Sequence, residues 1–389
     1  MRRHNLSTIL RLVHRSGPTS RSSLARLTSL NKSTVGALAK ELLDLGLVEE
    51  LIPNSNSHVG RPSRVVAASE KVVAIAVSPE IGAVTVGIVA LGGKVLRRVR
   101  YPTLPSRSVA QAVSLSAAFI DGMRSELDRD FQVVGVGVAV PGMVHSPDGI
   151  IRIAPHHGWA NEPLVDMLHE ATGYPVFADN DARLGSLAAR NFGVGKGIDD
   201  IIFLNGSAGG ITGGIITGGN AVSGFSGYGG AFCHVKVGDS SKTDSAGIKG
   251  TLEAEVTRAA LLEALGLPDA DPDELERALL ASTSPAVRLV VEQQLDHLAL
   301  ALGSAINILN PGLIVLGGFL ATLFRVDPLR LENAIAAMTL GASYTGMEIR
   351  VSELGFDMLL IGAAELVFDA LLQDPAGIKD NTSRMDDQR

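Results

Sequence analysis

Apolar positions recur at helical spacing over the first 45 residues and then give way to strand-like runs. Leu6, Ile9, Leu10 and Val13 stand at i, i+3, i+4 and i+7, which predicts an amphipathic helix ending near Gly17–Pro18. A short second helix is expected from about Ser20, with Leu24 and Leu27 inward and Arg21 and Arg26 outward. Asn31–Lys32–Ser33–Thr34 precedes a third helix whose apolar face is Val35, Leu38, Leu42 and Leu45, and Gly46 ends it. LVEELIP reads as a wing strand, and NSNSHVGRPSR as a loop too polar to pack. Helix, short helix, polar turn, helix is the spacing of a helix-turn-helix.

After residue 71 the pattern becomes α/β and occurs twice. KVVAIAVSPEIGAVTVGIVALGGKVLRRVRYP predicts strands joined by tight turns, followed by a helix from about Ser108 to Leu127 and a buried strand, VVGVGVAVPG. DDIIFLNGSAGGITGGIITGGNAV and INILNPGLIVLGG repeat the scheme as a Gly-rich hairpin, then helix, turn and buried strand. Two such halves imply a cleft between them, the usual place for a ligand. Leu298–Phe324 has no charged residue and enough length to span a bilayer. Asn307, Asn310, Pro311, Gly312 and Gly317–Gly318 break it, so helix, turn and strand is the better reading. The basic and apolar start, MRRHNLSTILRLVHRSG, is interrupted by Arg11 and Arg15 and lacks a cleavage site, which argues against a signal peptide. A cytoplasmic protein without membrane association is expected.

Charge sharpens the division. The 389 residues carry a formal charge of −7, yet residues 1–70 hold 10 basic and 5 acidic side chains, so a basic head precedes an acidic body. The single Cys excludes a disulfide framework and a multi-Cys metal cluster. In a recognition helix the N-terminal residues meet base edges, here Lys32, Ser33 and Thr34, while Lys40 lies where a phosphate would be. Gly60–Arg61–Pro62 is a stiff tripeptide suited to laying Arg61 in a minor groove, and Arg64 completes the DNA-facing set. A helical bundle with a solvated basic face, used for dimerisation, is the alternative reading.

PGMVHSPDGIIRIAPHHGW, PVFADNDAR, the Gly-rich segment Gly206–Gly230, AFCHV and NPGLIVLGG follow one another in an order that resembles the ROK family. That family joins sugar kinases of the actin-like ATPase fold to sugar-responsive repressors with an N-terminal winged helix-turn-helix and a GRP wing. The resemblance implies a winged helix-turn-helix domain over 1–70 and a two-lobed α/β actin-like (ribonuclease H-like) body. Its lobes would span 71–190 and 191–389, with the last helix returning to the first lobe and a disordered tail from about 376.

The resemblance also locates the chemistry. The family's DIGGT phosphate hairpin corresponds to Ser78–Pro79–Glu80–Ile81–Gly82, which lacks the carboxylate and places Glu80 and Ile81 where phosphate would lie. The second phosphate loop corresponds to Ala208–Gly214 and lacks the Thr hydroxyl. ATP transfer depends on such positioning and is not expected. Asn180–Asp181 matches the Asn-Asp pair whose Asp is the kinase base, His234 and Glu253 match sugar-contacting residues, and His156 stands where Asn is common. Structural roles compete for each: an N-cap for Asp181, a core histidine for His234, and a helix macrodipole for Glu253. The family's sugar-binding Glu of GExGH is Ala231 here, which argues against an ordinary hexose. Its Cys₃His zinc positions read Asp244, Ala246 and Thr251 beside His234, so no metal or cofactor is expected and the 238–250 loop is expected to be mobile. The whole implies a homodimeric or tetrameric repressor on a pseudopalindromic operator, with a sugar or derivative as effector. A sugar kinase with an added head, and a regulator that has lost its ligand response, remain as alternatives.

Overall fold

The computed structural model describes residues 1–52, 64–103, 108–145 and 148–377. The head comprises α1 (Arg2–Ser16), β1 (Thr19–Ser20), α2 (Arg21–Thr28), α3 (Lys32–Asp44), β2 (Val48–Leu51) and β3 (Val65–Ala68). Leu6, Ile9, Leu10 and Val13 are buried on α1, together with Leu24 of α2 and Val35, Leu38 and Leu42 of α3. Leu27, expected inward, is instead 57% exposed, because the eight-residue α2 turns one narrow apolar face to the core and Leu24 fills it. Ser20 caps α2 and Asn31 caps α3 through bonds from the backbone N–H groups of Ser23 and Thr34. The order β1–β3–β2 completes a winged helix. The wing tip, including Arg61 and the GRP tripeptide, lies outside the described residues.

The next sheet is built from β4 (Val72–Glu80), β5 (Ala83–Ala90), β6 (Val95–Pro102), β7 (Gln132–Val140) and, after a small sheet of β8 (Met143–His145), β9 (Ile150–Ala154) and β10 (Trp159–Glu162), β11 (Val176–Asn180). Its order is β11–β7–β4–β5–β6. Helices α4 (Val109–Asp130), α5 (Leu164–Thr172) and α6 (Asp181–Phe192) accompany it. A capping box between Ser108 and Gln111 starts α4. The second sheet repeats the topology with β12 (Ile201–Ser207), β13 (Gly210–Thr217), β14 (Asn220–Ala221), β15 (Leu313–Gly317) and β16 (Glu348–Val351), in the order β14–β13–β12–β15–β16. In both, an antiparallel hairpin is followed by parallel strands on the other side.

Among the described residues the chain around this second sheet forms α7 (Leu252–Glu255), α8 (Arg258–Leu265), α9 (Pro272–Ala281), α10 (Pro285–Leu309), α11 (Gly318–Val326), α12 (Pro328–Met338) and α13 (Gly341–Tyr344). The uncharged Leu298–Phe324 run resolves into the end of α10, a left-handed Asn310, β15 and most of α11. Among the described residues no helix is long and apolar enough to cross a membrane. The last helix, α14 (Met358–Gln373), packs on β4, β7 and α6 of the first sheet's layer. Contact is so close that a Cβ at Gly137 would collide with the Ala363 carbonyl, which is why the apolar run of β7 is interrupted by glycine. Pro375–Gly377 add one 3-10 turn, and the remaining tail lies outside the described residues.

Head and body share one hydrophobic core. Leu6, Ile9, Leu10 and Val13 belong to the same buried cluster as Val72, Leu91, Leu184, Val367 and Phe368. At its edge lies a buried polar junction. His14 Nδ1 accepts the Gly92 N–H at 2.9 Å, which leaves Nε2–H to donate to Glu365 Oε1 at 2.6 Å. Asn191 Nδ2 donates to the other Glu365 oxygen at 2.6 Å. Burial opposes the charge on Glu365, but His14, Asn191 and the nearby Arg15 outweigh it and hold the carboxyl below its ordinary value.

Candidate functional site

Asn180 ends β11 and caps α6: its Oδ1 accepts the Arg183 N–H at 3.1 Å and its Nδ2 donates to the Gly142 carbonyl at 2.9 Å. The cap expected of Asp181 therefore falls to Asn180, and both ends of that amide are in use. Asp181 is the first helical residue, buried, with its carboxylate accepting the Ala182 N–H at 2.8 Å. Burial raises its carboxyl to about 7, against the opposing pull of the Ala182 N–H and of His156. His156 projects from the turn Pro155–His157 after β9, and its Nε2 lies 3.1 Å from Glu253 Oε1. This contact joins the first sheet's surroundings to the second's. Glu253 also accepts the Ser245 hydroxyl at 3.0 Å, and His234 Nδ1 is 3.8 Å from it.

His156 and His234 thus both meet Glu253, and Asp181, whose carboxyl feels the charge of His156, joins this group with Asn180 next to it in the chain. Glu253 does not open a long helix as expected. It lies in the single turn α7, which stops at Val256 before α8 begins, so a helix macrodipole gives little reason for an acid there. Cys233 sits beside them, its thiol pushed up to about 12 by burial and by the charges of Glu253 and Asp181. Sequence reasoning missed His157, whose Nε2 is 3.1 Å from the Pro79 carbonyl and whose ring stacks on Trp159 at 4.5 Å. It also missed Asp244 and Ser245, although an acid at a position where the family places a thiolate was a signal for the first.

The two hairpin turns corresponding to phosphate loops meet each other. A Cβ at Gly209 would lie 2.6 Å from Ile81 Cδ1, so the Ile81 side chain rests on the second glycine-rich turn. Glu80 is bound by the Thr85 hydroxyl and by Arg100 Nε at 3.0 Å. Glu253 lies directly over Gly210, where a Cβ would collide with its carboxylate. Ile81, Glu80 with its partner Arg100, and Glu253 therefore lie at these two hairpin turns.

The 238–250 loop is tied down, against the expectation that it is mobile. Asp244 accepts the backbone N–H groups of Ala246 and Ile248, and Glu255 holds Ser240 and Lys242. In the head, Lys32, Ser33 and Lys40 are exposed and Thr34 is half-buried, all on α3. The Ser33 hydroxyl donates to Asn31 at 2.8 Å and stays at the surface. Gly36 and Ala37 continue this outward face without bulk. Arg64, at the wing's base, donates to Glu50 at 3.1 Å, and Arg21 shares that carboxylate.

A duplicated hairpin-and-parallel-strand body with a winged helix in front is matched by a known family. The ROK family profile covers residues 77–370. The chain belongs to the ROK family. ROK relatives divide by whether they extend over the head. A glucokinase of Thermotoga maritima is 30% identical over 73% of this chain and 93% of its own length. The DNA-binding transcriptional dual regulator NagC of Escherichia coli is 28% identical over 95% of this chain and 93% of its own. Among solved structures, a ROK family transcriptional regulator, a homologue of the Escherichia coli MLC protein, superposes with a TM-score of 0.78 at 22% identity, covering 96% of this chain and 97% of the other.

Proposed function

We propose that this ROK protein is a DNA-binding transcriptional regulator of carbohydrate genes, a repressor, controlled by a sugar or sugar derivative in the cleft. The observation that carries this reading is that the regulator relatives align over 92–95% of the chain, head included, whereas the Thermotoga maritima glucokinase aligns over 73%. Lys32, Ser33 and Thr34 would read base edges, and Lys40, Arg61 and Arg64 would bind the DNA backbone or minor groove. Two heads of a homodimer would sit about one DNA turn apart on a pseudopalindrome. In the cleft, Asp181, Glu253, His156 and His234 would hydrogen-bond vicinal hydroxyls, and Asn180 would hold the rim. Ala231, in place of a larger acceptor, favours a modified or less polar ligand over a plain hexose.

The body would bind rather than phosphorylate. Ile81 on Gly209, and Glu80 in the first hairpin, support that reading by displacing the donors that ATP needs. A sugar-kinase activity would require sugar-dependent ATP turnover that Asp181→Ala abolishes, and none is expected.

The reading is tested by selecting sheared genomic DNA on the purified full-length protein and sequencing what is retained. A pseudopalindromic motif beside genes of carbohydrate use is expected. Enrichment without a motif, lost uniformly as salt rises, would reduce the head to a general basic module and refute the regulator reading.

A further inference from the structure

One buried carboxylate gathers His234 and the loop that follows it. Asp244 Oδ2 faces His234 Nδ1 at 2.8 Å and accepts the Thr251 hydroxyl at 2.9 Å. Its Oδ1 accepts the N–H groups of Ala246 at 2.9 Å and Ile248 at 2.8 Å. The side chain has no solvent exposure, and neighbouring Ser245 donates to Glu253 in the cleft wall. Asp244 therefore reaches the three other positions, 234, 246 and 251, that the family resemblance assigns to zinc.

Those residues do not fit zinc. A structural zinc site wants four donors, mostly thiolate or imidazole, and positions 244, 246 and 251 offer a carboxylate, a methyl and a hydroxyl. Cys233, His234 and Glu253 do bring a sulfur, a ring nitrogen and an oxygen within 4.8 Å of one another. In that trio His234 Nδ1 is already engaged by Asp244.

We propose that Asp244 is a positioning residue for His234, standing where a metal would otherwise staple the loop and orienting the ring by accepting from a protonated Nδ1. An ionised carboxylate can only accept, so Nδ1 must carry the proton. Four donors converge on Asp244, from His234, Ala246, Ile248 and Thr251, the surroundings an ionised carboxylate requires. The consequence for recognition, which rests on the effector reading above, is that Asp244 occupies Nδ1 and leaves Nε2 of His234 to meet a ligand.

The test needs neither DNA nor effector, so its failure is separate from failure of the regulator reading. Full-length protein with ¹⁵N-labelled histidine is measured by NMR at neutral pH, with His234→Gln to assign the resonance. A protonated Nδ1 is expected. In Asp244→Asn the carboxamide oxygen can still accept from Ala246 and Ile248, while its NH₂ donates to Nδ1, so the tautomer should invert to Nε2–H with the fold retained. Asp244→Ala should lose the loop as well, lowering the melting temperature. Metal analysis should find far less than one zinc per chain, and EDTA should leave the melting temperature unchanged. A wild-type Nε2–H tautomer, an uninverted tautomer in folded Asp244→Asn, or stoichiometric zinc whose removal lowers the melting temperature would each overturn the proposal.

Discussion

The carboxyl of Asp181, raised to about 7 from an ordinary 3.8, ties the cleft to pH. Below about pH 4 the group is neutral in folded and unfolded chains and costs nothing. As pH rises from there through 7, the unfolded chain ionises while the folded site retains its proton, so stability falls and then levels off, by about 4 kcal/mol at most. Denaturant melts at pH 5 and pH 8 should show this decline in the wild type and much less of it in Asp181→Asn. A sugar hydroxyl donating to Asp181 favours the ionised form, so effector should bind more tightly at pH 8 than at pH 6, and equal affinities would contradict that contact. On α3, a Cβ at Gly36 would meet nothing within 4 Å. Gly36→Ala should therefore stabilise the folded protein by about 0.5–1 kcal/mol, while weakening operator binding if the added methyl meets a groove. Unchanged operator affinity would remove that face of α3 from the DNA. Such candidates were legible because residue type and order carry them: an Asn-Asp pair before a helix, or hydroxyls and Lys opening one. The partners of Asp244 were not, since a carboxylate in a polar loop has no period, and its four donors come from positions 234, 246, 248 and 251.

Elements were legible where a single period governed them. The stripe of α1 and the hairpins of both sheets follow from spacing and glycine turns alone. The docking of α14 was not, because its apolar residues face several layers and say nothing about which sheet they cover. Glycines in β7 and α14 allow the close approach: Gly362 lies against the Leu184 carbonyl of α6 as tightly as Gly137 lies against Ala363. Helix α6 begins at Asp181 in the cleft and ends near Asn191 at the junction with α1, a span of about 18 Å. On the proposed reading, a ligand that moved its N-terminus would act through Asn191 on Glu365 and so on His14 of the head. Glu365→Gln presents an NH₂ to one of two donors that both need an acceptor, and should cost about 1–3 kcal/mol in chemical denaturation. Asn191→Ala should leave operator binding near wild type yet reduce its response to effector. A full response in that variant would mean that the signal travels by another route.

At the scale of the molecule, the division into basic head and acidic body was visible in the charge count, and the duplication was visible in the repeated hairpins. What no composition or period conveyed is that the head's core is continuous with the body's through α1, α14 and Leu184. That continuity seats the head on the body, and under the proposed function an effector would act on one equilibrium between two global states that includes the position of α3. An effector preferring the state that misplaces the heads must weaken DNA binding by the ratio of its affinities for the two states. The most direct test is operator affinity by fluorescence anisotropy, using a site recovered from genomic selection, with and without the sugar used by the enzymes encoded beside it. At least tenfold weaker binding with sugar, about 1.4 kcal/mol of coupling, is predicted for the wild type, and no change for Asp181→Ala. The same affinity with and without a sugar that calorimetry shows to be bound would contradict the account.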